Sequence, residues 1–463
     1  MRFMVLATDY DDTLATDGTV GAPTVAALER WRASGRRLVL VTGRPFADLV
    51  RIFPRFELFD RIVAENGATL WRPGESEVPL AGGPDERLVA RLRAGGVPFS
   101  AGRCVVATRV PHEVEVLEAI RALGLELRVV FNKGAVMVLP PGVDKESGLR
   151  VALAEMGLSL RSAVGVGDAE NDQAFLTACE CGVAVANALP AVRSAADLAT
   201  RGARGQGVEE IVEQVIVDDL ASVPLSRRAV AIGIRRDGTA LEVSPASALL
   251  VTGASSEGRT TVATALLDQL LGRGYQVCLV DPDADHEGFP GLVALGNARR
   301  PPAVDEVAAL LQESTGASAA VNLLALPVSE RQAFLGALLG RTRELRLRTG
   351  RPHFLVVNEA HQVLPATSSS GPSSPLRAAP FLLVTGHPDR LSREMLRQVE
   401  WAISVGDRPE EPLQLLAASA RREIPPVPAA ANGESLVWSV RDARVDAAWL
   451  AHARGAIAPG RTD

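Results

Sequence analysis

The sequence predicts an α/β protein of two successive domains, each built on a mostly parallel sheet. Three observations carry this. Along residues 1–217, short apolar runs alternate with stretches of helical period. Between about 72 and 142 a helix, a strand, a second helix and a hairpin-like pair break that order, as an inserted α+β module would. From about 230 a second βα alternation begins, after "DDLASVPLSRRA" (218–229), which reads as a linker.

In the first half the strand signals are "RFMVLAT", "RLVLVTG", "RIVAENG", "SAVGVGD" and "CGVAVAN". The helical signals are "TVAALERWRASG" and "ESGLRVALAEMG". This gives a doubly wound core over 1–71 and 143–217, with the module 72–142 inserted in it. Within the module, helices are expected at "DERLVARLRAGG" and "HEVEVLEAIRALG", a strand at "GRCVVATRV", and a hairpin at "LELRVVFNKGAVMVLPP". The second domain is expected over 230–455, interrupted by the Ser/Pro-rich "PATSSSGPSSPLR" (365–377), read as a mobile loop. Residues 456–463 read as a frayed tail.

With 463 residues and 47% hydrophobic content the chain can bury sizeable cores. No apolar run reaches the ~18 residues of a membrane span, and no signal-like N-terminus is present, so a cytoplasmic location and no membrane partner are expected. Cys104, Cys179, Cys181 and Cys278 lack zinc or disulfide spacing and read as small buried hydrophobes. The net charge of −6 argues against a nucleic-acid-coating protein and leaves a local basic channel open. Of 49 basic residues only Lys133 and Lys145 are lysine. A lysine surviving such a drift marks a place where a compact ammonium is needed.

The first strand ends in "TDYDD". Asp9 and Asp11, two apart, would point to one side of an extended chain, where their charges repel. A divalent cation such as Mg²⁺ is the simplest reason to tolerate them, and an acidic turn the alternative. Other strand ends carry matching pieces. Thr42 closes "LVLVT", and Gly43 after it frees backbone amides. Lys145 opens a helix, where ammonium and helix end together suit a phosphoryl group. Asp168 ends a third strand, with Asp172 four residues on.

"DYDDTL", "VTGR", Lys145 and "GDAEND" resemble the four motifs of the haloacid dehalogenase (HAD) superfamily phosphatases. The module position, "AENGA" (64–68) and the tail "CGVAVANALPAVRSAADLAT…GVEEIV" resemble its Cof-like branch with a type-2 cap. The resemblance implies a Rossmann-like core over 1–217 and a small phosphorylated substrate. It makes Asp9 the nucleophile of an aspartyl-phosphate intermediate and Asp11 the general acid and base, its pKa raised by a neighbouring carboxylate. Thr42 and Lys145 would hold and neutralise the phosphoryl group, with Gly43, Asn171 and the cap's Lys133 also on the substrate side. Lys133 reads first as an exposed turn residue, with substrate contact the alternative. Mg²⁺ would be held by Asp9, Asp168 and the Asp11 carbonyl, with Asp172 supporting the metal or orienting Lys145. Asp12 stands where the family more often has glycine, and reads as a solvated extra acid. Thr13 reads as a turn stabiliser.

In the second half "GASSEGRT" (253–260) fits the phosphate-loop pattern G-x-x-x-x-G-K-[ST] but for Arg259. With "LVDPDAD", "LVVNEAH" and "LLVTGHPDR" it resembles the HerA-like translocase ATPases, which implies a P-loop NTPase-like domain, with Asn358 where an acid is usual. Gly253, Gly258, Arg259, Thr260, Thr261 and Glu359 are its candidate nucleotide residues. Three readings stay open: nucleotide such as ATP bound with little hydrolysis, slow hydrolysis, or a relic used in homo-oligomer assembly. A second view of the whole chain makes this half primary, a nucleotide- or DNA-associated assembly module whose phosphatase domain acts on nucleotides or nucleic-acid ends.

Overall fold

The computed structural model describes residues 1–221, 223, 225–365 and 380–450. The chain divides into two compact units at residues 224/225. Residues 366–377 of the Ser/Pro-rich stretch and the tail lie outside the described residues.

The first unit opens β1 (Val5–Thr8), α1 (Ala22–Ala33), β2 (Arg37–Val41), α2 (Phe46–Ile52), β3 (Arg61–Ala64), β4 (Thr69–Trp71) and β5 (Val78–Pro79). An inserted module follows: α3 (Glu86–Ala94), β6 (Ser100–Ala101), β7 (Val106–Arg109), α4 (Glu113–Ala122), β8 (Arg128–Asn132) and β9 (Ala135–Leu139). The chain then returns through α5 (Lys145–Glu155), β10 (Ala163–Gly167), α6 (Gln173–Ala178), β11 (Cys181–Ala184), α7 (Pro190–Ala195), β12 (Leu198–Ala199) and α8 (Gly205–Asp218). The core sheet has the order β12-β11-β10-β1-β2-β3-β4-β5. Its central strands are parallel and buried along their length, which is why they read as unbroken apolar runs.

From β1 the chain first fills one side of the sheet, and only after the module does it fill the other. The direction of winding therefore switches between β1 and β10, where an open α/β sheet leaves a crevice beyond its carboxyl ends. The module is a four-stranded antiparallel sheet, β6-β7-β9-β8, with α3 and α4 packed through Leu88, Leu92, Val116 and Ile120. One expected boundary is corrected: β4 and β5 turn back antiparallel and still belong to the core sheet, so the module begins after Pro79 and not at 72. The expected linker starts inside the last residue of α8.

The second unit contains β13 (Val230–Arg235), β14 (Ala240–Val243), β15 (Ala248–Gly253), α9 (Ser256–Gly272), β16 (Val277–Asp281), β17 (Leu292–Leu295), α10 (Val304–Glu313) and β18 (Ser318–Asn322). It continues with α11 (Val328–Thr349), β19 (Phe354–Val357), β20 (Phe381–Thr385), α12 (Arg393–Leu396), β21 (Trp401–Val405), α13 (Glu410–Ala420), β22 (Ser435–Ser439) and β23 (Arg444–Leu450). One sheet runs β14-β13-β23-β22-β21-β15-β20-β19-β16-β18-β17, parallel from β21 to β17 and antiparallel beyond. Alternate residues of β15 enter two cores, Leu249 and Val251 on the α9 side and Leu250 on the other.

Candidate active site

Thr8 is in register with both Leu40 and Val166. Asp9, Thr42 and Asp168 therefore leave three adjacent strands at nearly the same height. Asp9 is fixed there by its N–H, donated to Val166 O at 2.9 Å. Lys145 arrives from the other side as the first residue of α5, whose capping box is formed by Asp144 and Ser147. The helix sits unusually close to the loop after β3. A Cβ on Gly148 would lie 2.5 Å from Val63 Cγ1, and one on Gly67, at φ +102°, would lie 1.9 Å from Asp144 O. Only glycine permits that approach, and the approach brings the lysine into the crevice.

The Lys145 ammonium is 1% exposed and bridges Asp9 Oδ1 and Asp172 Oδ1, each at 2.5 Å. Asp172 is held in turn by the N–H groups of Asp168 and Ala169, both 2.9 Å from Oδ2. Asp168 accepts from Thr13 Oγ1 (3.1 Å) and from Lys133 Nζ (2.6 Å). Both lysines of the chain thus end on this acid cluster. Lys133, at the tip of the β8–β9 hairpin with φ +47°, also donates to Asp12 Oδ2 at 2.7 Å.

Asp9, Asp168 and Asp172 are buried and offer carboxylate oxygens within 4.8 Å of one another. Such a hard, anionic oxygen set suits a small divalent cation, so the residues fit Mg²⁺. Burial, then the Asp172 charge, push the Asp9 carboxyl up to about 8 against the pull of Lys145. Burial also raises Asp168, with Lys133 opposing. Burial alone would lower Lys145, but the Asp172 and Asp9 carboxylates outweigh it and keep the group an ammonium.

Several expectations change on contact with the geometry. Asp11 does not share Asp9's surroundings. Strand β1 ends at Thr8, and Asp11 turns to the rim, where Arg44 holds it by two bonds, Nε to Oδ2 at 2.7 Å and Nη2 to Oδ1 at 2.6 Å. Asp12 is no solvated extra acid: besides Lys133 it takes Arg204 Nε at 3.1 Å. Thr13 reaches past its own turn to Asp168. Thr42 is fully buried, its hydroxyl accepting from the Arg44 N–H at 3.1 Å. Gly43 lies against Asn66, which accepts from Asn171 Nδ2 at 2.9 Å. The buried Asn171 Oδ1 has no partner among the described residues.

Arg44, Asn66 and Glu65 are participants that carried no role in the sequence. Arg44 lies within "VTGR" and the other two within "AENGA", so the signal was present as pattern without function. The Glu65 carboxylate accepts three successive backbone N–H groups of the module, Arg103 at 2.7 Å, Cys104 at 2.9 Å and Val105 at 3.0 Å. It clamps the module to the core.

A family profile for haloacid dehalogenase-like hydrolases matches residues 6–78 and 103–212, leaving out the start of the module. A phosphoglycolate phosphatase of Methanothermobacter thermautotrophicus is 31% identical over 219 residues, which are 45% of this chain and 97% of that protein. The chain belongs to the haloacid dehalogenase-like hydrolases. Its first unit is a HAD-type phosphatase domain. Phosphoglycolate phosphatase 2 of Saccharolobus solfataricus is 28% identical over 222 residues, 46% of this chain and 92% of its own length. Among solved structures, a HAD-like hydrolase from Bacteroides thetaiotaomicron overlays 46% of the chain and 99% of its own, at 21% identity and a TM-score of 0.41.

Beyond the HAD domain, the phosphate-loop pattern folds more tightly than its sequence suggests. Only Ala254 and Ser255 separate β15 from α9, and Ser255 Oγ already accepts the Gly258 N–H at 3.0 Å. Arg259 turns inward, donating to Gly253 O at 2.7 Å and to Glu359 Oε1 at 2.6 Å. Thr260 follows on the same helix, and Thr261 bonds back to Glu257 O at 2.8 Å. Asn358 donates to both Asp281 and Asp285 at 3.0 Å. A cleft of about 370 Å³ opens beside the helix start, lined by Glu257, Gly258, Thr261 and Gly406 among others.

Proposed function

We propose that the N-terminal domain hydrolyses a small phosphorylated acid of about phosphoglycolate's size, with Mg²⁺, through an aspartyl-phosphate intermediate. The observation that carries this is the Asp9–Lys145–Asp172–Asp168 cluster, buried at the switch of the sheet and roofed by Lys133. The relatives named phosphoglycolate phosphatase support the size and acidity of the substrate.

In this reading the Asp9 carboxylate attacks phosphorus as the ester P–O bond breaks, and Asp11, having left Arg44 and taken up a proton from solvent, gives that proton to the departing oxygen. A water then attacks the acyl phosphate, its proton passing to Asp11, and phosphate departs. Lys145 offsets charge on the transferring group, and the Thr42 hydroxyl and Gly43 amide take its oxygens. Asn171, with its free amide oxygen, and Lys133 face the rest of the substrate. Asp9, Asp168 and the Asp11 carbonyl would hold Mg²⁺, which supplies neutralisation of the phosphoryl oxygens.

The test is phosphate release from a panel of 2-phosphoglycolate, sugar phosphates and nucleotides, with Mg²⁺ or with EDTA. The expected result is fastest turnover of 2-phosphoglycolate and none in EDTA. Preference for nucleotides or DNA ends would overturn the substrate class.

A second prediction follows from the raised Asp9 and Asp168. Without metal the Asp9 carboxyl keeps its proton through neutral pH, burial biases Asp168 in the same direction, and a cation needs the carboxylates. Mg²⁺ binding is therefore expected to release protons, and its affinity to climb as pH rises toward about 8. Calorimetry in buffers of different ionisation enthalpy reads the proton count directly. A buffer-independent heat would refute it.

For the second unit we propose a regulatory or assembly role without nucleotide turnover, in a protein of a reducing, cytoplasmic compartment. In support, Glu359 is ion-paired with Arg259 and Asn358 carries no carboxylate for a metal. All four cysteines are buried free thiols. Among the described residues no helix is long and apolar enough to cross a membrane.

A further inference from the structure

Lys133 is bonded at once to a core acid that belongs to the cation set and to one that does not. Asp168 has both oxygens engaged, Oδ1 by Thr13 and Oδ2 by the Lys133 ammonium at 2.6 Å. Asp12 stands outside the set. Arg204 Nε at 3.1 Å holds its carboxylate, and Asn187 Nδ2 at 2.8 Å holds its main-chain carbonyl, so it is a fixed post at the rim. The lysine is 40% exposed at a hairpin tip, able to move, while Asp168 is 1% exposed and cannot follow it.

We propose that Lys133 is a latch between cap and core that competes with the divalent cation for Asp168, and that Asp12 is the post on which the released lysine rests. The proposal rests on the Mg²⁺ reading above and extends it to regulation of the same site. An ammonium 2.6 Å from Asp168 Oδ2 occupies the position a cation bound there would need. Two cations cannot share that oxygen without strong repulsion. Loading the metal therefore frees one of the hairpin's two ties, and the cap loosens before substrate enters. The released ammonium, still tethered near the site by Asp12, is then available to a second anionic group on the substrate. A glycine at position 12 would leave the lysine no such post.

Because coupling is reciprocal, removing the lysine must help the metal as much as the metal weakens the tie. The test uses the full chain, Mg²⁺ alone as the probe, and no turnover. In the wild-type protein, hydrogen exchange across residues 128–139 is expected to speed up on adding Mg²⁺. Lys133→Met is expected to bind Mg²⁺ about tenfold more tightly by calorimetry. Asp12→Asn, lacking the post, is expected to show a larger Mg²⁺-induced rise in hairpin exchange than wild type. Hairpin exchange indifferent to Mg²⁺, or a Lys133→Met affinity within about twofold of wild type, overturns the latch while leaving the metal site standing. Failure of Mg²⁺ to bind the wild-type chain overturns both. The wild-type exchange measurement needs no substitution, so a variant that fails to fold does not shield the idea.

Discussion

Asp9→Asn is expected to lower phosphate release by about 10,000-fold or more, because the amide cannot form the acyl phosphate. The fold should survive. Asparagine keeps the shape, and its Oδ1 still accepts from Lys145, which retains Asp172 as its ionic partner. Burial already disfavours the charged form of Asp9, so removing that charge relieves a desolvation cost. The unfolding midpoint in urea should therefore stay near the wild-type value while turnover disappears. Activity retained at a tenth of wild type or more would move the nucleophile elsewhere, with Asp11 the next candidate to substitute.

Lys145→Met is expected to damage both catalysis and folding. The ammonium is the partner that two buried carboxylates share, and methionine leaves them facing each other without it. Breaking a buried charge set by deleting one member costs about 3–5 kcal/mol. Turnover should fall about 1,000-fold, since the group that offsets phosphoryl charge is gone. The double variant Asp9→Asn/Lys145→Met should be more stable than Lys145→Met alone, because the acids then repel less. Lys145→Arg is the informative control in a chain that uses arginine nearly everywhere. The Lys145 side chain is 1% exposed with its ammonium enclosed between Asp9 and Asp172, so the forked guanidinium should not fit and activity should still be lost. Urea titration and phosphate release read all four variants, and a Lys145→Met protein as stable as wild type would refute the shared-partner account.

The catalytic half was legible where chemistry is written locally. Asp9, Thr42 and Asp168 each directly follow the last residue of a strand, and parallel strands of one sheet carry such residues to a common edge. Lys145 could be placed because a helix start follows the module. The pairings of Asp12 with Lys133 and of Glu65 with residues 103–105 could not, since each depends on how the module folds back over the core. Asp11 was misplaced for a simpler reason: β1 ends one residue before Asp9, so the alternation of an extended chain no longer applies. In the second half the glycine pattern was visible, but a consensus does not say where a helix begins. Ser255 caps the helix early, and the loop that the spacing promised is shortened to two residues.

The attachment made by Glu65 bears on how such lids can be exchanged between proteins. One carboxylate reads three consecutive main-chain amides, and a Cβ on Gly102 just before them would run into it, so the docking rule at this joint is conformational with one glycine fixed. A foreign lid of otherwise unrelated sequence could seat here provided its entering strand bends to offer the same trio of donors with a glycine before them. Substrate preference can then diverge by wholesale replacement of the lid while the hydrolytic floor beneath stays as it is.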